Sequence, residues 1–269
     1  SEFGLSKENQ DLIYGIIRQN HGIVLVTGPT GSGKTTTLYA GLSEINSTDK
    51  SIITIEDPIE YNLKGIGQIQ VNEKTGVTFA RGLRSIVRQD PDVILIGEIR
   101  DIETAEIAIQ SALTGHLVFS TLHTNDAAGA VTRLVDLGVE PYLISSSVNH
   151  VIAQRLVRIL CPHCRRAHTL TEADVASLNG TAGPSVGQTV YKPAGCPECF
   201  ETGYSGRQAI MEILTLDDEL RSLILQTSDA NLIREKALKK GLVTLRSDGM
   251  NKVMQGITSI REVLRVTQE

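Results

Sequence analysis

The sequence predicts an α/β protein with a largely parallel sheet, and three observations carry that expectation. Strand-length apolar runs rich in β-branched residues, "IVLVT" (23–27), "SIITI" (51–55), "VILIG" (93–97) and "LVFST" (117–121), do not alternate with polar residues, as expected of strands buried on both faces. Helix-period segments separate several of them, "TFARGLRSIVRQ" (78–89) and "IETAEIAIQSALTG" (102–115), so a strand can return by a crossover and pair in parallel. A glycine-rich turn, "GPTGSGKTT" (28–36), joins the first strand to a helix.

The elements follow in order. Residues 6–20 read as a helix with Ser6 as N-cap and Leu12, Ile13, Ile16 and Ile17 on one face. The strand at 23–27 enters the turn, where Gly28, Gly31 and Gly33 permit torsions and close approaches that a Cβ forbids. With Pro29, Thr30 and Ser32 they form a loop whose successive N–H groups can point at phosphate oxygens. The helix beginning near Lys34 adds its positive end. Lys34 would bridge terminal phosphates, Thr35 would offer its hydroxyl to Mg²⁺, and Thr36 could reach an α-phosphate. The pattern predicts nucleotide binding; a glycine-rich turn without a ligand is the plain alternative.

After "SIITI" come Glu56, Asp57 and Glu60, three carboxylates within five positions. The alternating "IGQIQV" (66–71) predicts a hairpin beside the main sheet. "VILIG" then delivers Glu98 and Asp101. Ligands of parallel sheets gather at the carboxyl ends of strands, so these acidic groups are expected to face one crevice and a Mg²⁺ whose charge offsets their repulsion. Gly97 stands where many such proteins place an Asp. Glu98 is therefore the candidate to organise the metal's water shell, and Glu60 the candidate general base. "TGHLVFSTLHTND" (114–126) puts His116 before a strand, as a packing or inter-lobe hydrogen-bonding residue, and His123 after it. There His123 could meet a γ-phosphate or the activating water; a structural role is the alternative. Arg84, Arg88 and Arg100 read either as ion-pair partners or as a set acting across a subunit boundary.

A Cys- and Pro-punctuated loop region runs from 157, and short amphipathic helices fill 217–265. The cysteines form two CxxC pairs, Cys161/Cys164 and Cys196/Cys199, with 31 residues between them. Four thiolates so arranged predict a closed, structural tetrahedral Zn²⁺ site; disulfides are the alternative. The organisation expected is a core at 5–155, a zinc-binding subdomain at 156–205 and a helical lobe at 206–269, with residues 1–4 as cloning remnant and linker.

Length and charge bound the function. The 269 residues, 41% of them hydrophobic, suffice for a sizeable core. No apolar run approaches the roughly 20 residues that cross a bilayer, and no signal-peptide pattern appears; with the cysteine pattern this points to the cytoplasm. A net charge of −5 and no run of five basic residues give no general attraction to nucleic acid, which is not expected as a partner. Arg155, Arg158, Arg165 and Arg166 read as a solvated face or a surface for an acidic partner.

"GPTGSGKTT", "TIEDPIEY", "ARGLRSIVRQDPDVILIGEIRD", "TGHLVFSTLHTND" and the two CPxC knuckles occur in one order. This combination resembles the ATPase superfamily of type II and type IV secretion, over the chain from about residue 5 to its end. "GAVTRLVDLGVEPYLISSSV" and "DGMNKVMQGITSIREVLRV" look most like its type II secretion branch. The resemblance implies a RecA-like core and a homo-hexamer, with ATP bound between the core and an N-terminal domain that contributes arginines. It matches Glu60 to the catalytic glutamate, Glu98 to the metal-binding strand and His123 to the second histidine of its box. It also matches Arg84, Arg88 and Arg100 to arginines at an interface. A motor follows, driving pseudopilus assembly and protein export from the cytoplasmic face through inner-membrane platform and recruiting proteins. These residues alone are expected to be a truncated motor, weakly active and monomeric or loosely associated. A pilus-assembly ATPase, a conjugation motor, a nucleotide-gated zinc adaptor without turnover and a small-molecule kinase are the rival readings.

Overall fold

The structure, a computed structural model, describes residues 7–176, 178 and 183–268. In chain order it contains α1 (Lys7–Ile17), β1 (Gly22–Thr27), α2 (Lys34–Ile45), β2 (Ile52–Glu56), β3 (Gly67–Gln70), α3 (Phe79–Val87), β4 (Val93–Ile96) and α4 (Ile102–Leu113). Then come β5 (Leu117–Leu122), α5 (Ala127–Asp136), α6 (Pro141–Ser147), β6 (Val148–Leu160), β7 (Arg166–Thr169), α7 (Glu172–Ala176) and β8 (Thr189–Lys192). Last are β9 (Tyr204–Thr215), α8 (Asp218–Ile224), α9 (Ala230–Lys239), α10 (Leu245–Met254) and α11 (Ile260–Thr267). Packing divides the chain into two compact units: Ser6–Ala153 with Ile213–Leu242, and Gln154–Glu212 with Val243–Glu269.

The main sheet has the order β3-β2-β4-β5-β1-β6-β9, and the pairs from β3 across to β6 are parallel. Every residue of β1, β4 and β5 is buried; Leu25, Ile94, Ile96 and Val118 are fully enclosed, each such side chain contributing roughly 1.5–3 kcal/mol of burial free energy. Parallel pairing has a consequence for the site. The carboxyl ends of β2, β4, β5 and β1 open at one edge, with Ile55 beside Ile96, Ile96 beside Ser120, and Leu122 beside Thr27.

Several sequence expectations are corrected. The 66–71 segment is not a hairpin: β3 lies parallel to β2 at the sheet's edge. Its alternation reports a half-exposed strand, and an edge strand is half-exposed whichever way it runs. Leu12 is 41% exposed, whereas Ile13, Ile16 and Ile17 are buried; the stripe of α1 is narrower than its apolar positions. Ser6 lies outside the described residues. The stretch from 157 is not simply loop, since β6 runs on to Leu160 and β7 pairs antiparallel with β8.

Candidate functional site

The 28–36 turn departs from β1 and closes on the N-terminus of α2. Gly28, Gly31 and Gly33 have φ of 151°, 78° and 86°. A Cβ added at Gly31 would meet nothing within 4 Å, so torsion, not crowding, requires glycine there. Gly33 caps α2 in the left-handed region without a side-chain cap bond. The first amides of α2 thus have no side-chain acceptor at their cap, the usual arrangement of a helix end that receives an anion. Lys34 Nζ donates to the carbonyls of Gly28 at 2.8 Å and Pro29 at 3.2 Å, holding its charge over the turn. Pro29, Thr30, Gly31 and Thr36 are exposed, Thr35 is half-buried and Ser32 is buried.

At the same edge, β4 delivers Glu98 and β5 delivers His123. His123 Nε2 lies 3.3 Å from Glu98 Oε2, and Arg100 pairs with the other carboxylate oxygen. The Glu98 side chain is only 14% exposed, against 51% for His123 and 62% for Arg100. The backbone around it is braced: Gly97 N–H bonds Ile55 O at 2.8 Å, Ile99 N–H bonds Thr121 O at 3.1 Å, and Thr121 Oγ1 donates to Gly97 O at 2.7 Å. A Cβ at Gly97 would stand 3.3 Å from Glu56 Cα. Close approach of β4 to β2 therefore accounts for glycine at the position before Glu98.

Thr27, the last residue of β1, ties the turn to the His123 loop. Its Oγ1 lies 2.7 Å from Thr124 Oγ1, accepts from Thr124 N–H at 2.8 Å and reaches Leu122 O at 3.1 Å. Sequence reading passed over Thr27, because a threonine ending a strand carries no special signal.

The acidic segment divides. Glu56 is 3% exposed, and its carboxylate accepts from Tyr39 Oη, from Thr54 Oγ1 at 2.5 Å and from Gln68 Nε2 at 3.2 Å. The expectation that it faces a metal is corrected; hydrogen bonds from three side chains occupy it instead. Burial, then the bond and charge of Glu56, push the Tyr39 phenol well above its ordinary range. Asp57 and Glu60 are exposed on the loop beyond. Asp101 does not enter the site: it caps α4, accepting from Thr104 N–H at 2.8 Å.

Arg84 pairs with Glu103 at 2.6 Å, and Arg88 reaches Ser85 Oγ at 3.4 Å. His116 Nδ1 lies 2.8 Å from Ser111 O, a turn-closing contact.

The sulfurs of Cys161, Cys164, Cys196 and Cys199 all lie within 4.8 Å of one another, with separations of 3.9, 3.8 and 3.7 Å for 161–196, 164–199 and 196–199. Tetrahedral zinc with Zn–S of about 2.3 Å requires sulfurs about 3.8 Å apart, so this donor set fits that ion. Backbone N–H groups of Gly195, Cys196 and Gly203 point at the sulfurs of Cys164, Cys199 and Cys199, at 3.3, 3.3 and 3.1 Å. Such donors favour the thiolate form a metal needs.

Together these features define a mostly parallel α/β protein with a glycine-rich strand-to-helix turn, a carboxylate–histidine pair at the same sheet edge and a tetracysteine cluster. The family model described as "Type II/IV secretion system protein" matches residues 1–265, and the chain belongs to that family. It is 54% identical over 268 residues to the type II secretion system protein E of Aeromonas hydrophila, covering 100% of this chain and 53% of that one. It is 53% identical over 266 residues to the type II secretion system ATPase E of Vibrio cholerae, covering 99% and 52%. The chain thus spans about half the length of these curated relatives. Among solved structures, it resembles the ADP-bound pilus retraction motor PilT with a TM-score of 0.73 and 30% identity, covering 100% of this chain and 66% of that one. It also resembles the ATPase DotB of Legionella pneumophila, with a TM-score of 0.69 and 27% identity, covering 95% and 62%.

Proposed function

We propose that the chain binds Mg-ATP on its 28–36 turn, hydrolyses it and forms the motor portion of a type II secretion system. The observation that carries this reading is the convergence, at one sheet edge, of the amide-rich turn bearing Lys34 and the Glu98–His123 pair. In this reading the core is RecA-like, the amides of 28–33 and the Lys34 ammonium hold phosphate oxygens, and Thr36 reaches the α-phosphate. Thr35 and Glu98 would hold Mg²⁺, which when bound supplies countercharge to the triphosphate. Glu60 accepts the proton of the attacking water. His123, oriented by Glu98, donates towards the γ-phosphate or that water. The tetracysteine insertion binds structural Zn²⁺.

Arg84, Arg88 and Arg100 act, in the same reading, at the boundary with a neighbouring subunit or domain of a homo-hexamer. Closure of one subunit on the next and its reopening then displace an inner-membrane platform protein. Among the described residues no helix is long and apolar enough to cross a membrane; attachment from the cytoplasmic side through partners is part of the same reading. Identity of 54% to type II secretion relatives, against 30% to the retraction motor, favours secretion over pilus work.

The test is phosphate release by this chain with Mg-ATP. Glu60→Gln should lower kcat on the order of a hundredfold or more while leaving nucleotide binding in place. Equal turnover by the variant would contradict the assignment.

A further inference from the structure

We infer that Gln68 is a positioning residue for Glu60, a role that rests on the ATP-hydrolysis reading above. Gln68 sits on β3 and uses both ends of its amide on the acidic loop. Its Oε1 accepts from Leu63 N–H at 2.6 Å, and its Nε2 donates to Tyr61 O at 3.3 Å. The side chain thus pairs with the loop as a neighbouring strand would, immediately after Glu60. The same Nε2 lies 3.2 Å from Glu56 Oε1 and 3.4 Å from Tyr39 Oη.

These contacts join three pieces of the site. Glu56 ends β2 just before the loop, and its own carbonyl accepts from Val71 N–H at 2.8 Å. Tyr39 stands on α2, five positions beyond Lys34, and donates to the Glu56 carboxylate. Its ring meets that of Tyr61 edge-on at 4.7 Å. Glu60 is itself exposed, so the position of its carboxylate depends on the backbone that carries it. That backbone is held on one side by Glu56 and on the other by Gln68, and both holds lead back to α2, the helix that follows the phosphate-binding turn. A buried carboxylate accepting from three side chains is costly to disturb, which makes Glu56 a firm anchor for an otherwise solvent-facing loop.

The role predicts a split in the kinetics. Removing the Gln68 amide should release the loop without touching the 28–36 turn, so kcat should fall on the order of tenfold to a hundredfold while KM for Mg-ATP stays close to that of the parent chain. Gln68→Ala tests the whole contact. Gln68→Glu is isosteric, keeping the acceptor for Leu63 N–H but setting a second carboxylate against buried Glu56, 3.2 Å from the present amide nitrogen, so it disturbs the anchor as well as the loop and should lower kcat at least as far as Gln68→Ala. Amide hydrogen exchange gives a readout independent of turnover: in Gln68→Ala, residues 57–63, Leu63 above all, should exchange faster while 28–36 and α2 do not change. An unchanged kcat in both variants, or unaltered exchange at 57–63, overturns the inference. If the full-length assembled protein releases no phosphate, the proposed function fails, and the exchange experiment still decides whether Gln68 holds the loop.

Discussion

His150 and Glu262 show how the same burial produces opposite outcomes at single residues. His150 is 6% exposed; the Gln19 amide nitrogen lies 2.6 Å from its Nε2, and its Nδ1 lies 3.1 Å from Thr215 Oγ1. A neutral ring satisfies both partners, accepting from the amide and donating to the hydroxyl. Burial, with the Arg221 charge second, lowers its pKa from 6.5 to about 4. A histidine depressed in the folded state makes a contribution that is present above pH 6.5 and is lost as pH falls towards 4, because the unfolded chain binds the proton more readily. Denaturant unfolding should show stability rising across that window by on the order of 3 kcal/mol more in the parent than in His150→Gln; identical slopes would contradict this. Glu262, fully buried, instead keeps its charge. Burial raises its pKa, but Arg265 and Arg158, at 2.7 and 2.8 Å, bring it down to about 2. Neither role was legible in the sequence, because each depends on partners from distant segments. Glu56 is the instructive case: sequence placed it with Glu60, and only the approach of Tyr39 and Gln68 separates a buried anchor from an exposed candidate base.

At the scale of elements, the strands were the most readable features, whereas the side-chain caps that start the helices from α3 onward were not read from the sequence. Thr78, Asp101, Asp126, Asp217, Thr244 and Ser259 each accept an N–H from the third residue onward, capping α3, α4, α5, α8, α10 and α11, where a good cap contributes about 1 kcal/mol. For Asp101 that local bond prevailed over the metal role read from its nearness to Glu98. Strand direction was less readable, since alternation in β3 reports exposure and says nothing about which way a strand runs. The tetracysteine cluster was legible from spacing alone, because CxxC pairs confine their sulfurs before any tertiary contact forms. Its framework includes a two-stranded ladder of 166–169 with 189–192, and the bond from Cys161 N–H to Gly203 O at 3.0 Å. Zinc binding by such sites contributes on the order of 10 kcal/mol. Chelation should therefore raise amide exchange throughout 157–205 while the 28–36 turn and β1 remain protected; equal loss in both regions would contradict a local structural metal.

For the molecule as a whole, the order of motifs along the chain identified the family that the comparisons establish; the glycine-rich turn, the acidic box, the Glu98 segment and the histidine box each follow a parallel strand, β1, β2, β4 and β5, and the cysteine knuckles belong to the other unit. What the order of motifs did not reveal is the bracing among them: Thr27 to Thr124, Thr121 to Gly97, Gln68 to the acidic loop. These contacts turn separate strand ends into one site. The central claim is that a triphosphate and Mg²⁺ are held between Lys34 and the two glutamates, Glu60 and Glu98. Its most direct test is a structure of the assembled protein with Mg²⁺ and a non-hydrolysable ATP analogue. Lys34 Nζ should exchange the Gly28 and Pro29 carbonyls for phosphate oxygens, with Glu60 and Glu98 facing the γ-phosphate. If both glutamates point away and Lys34 stays on its carbonyls, the account is wrong.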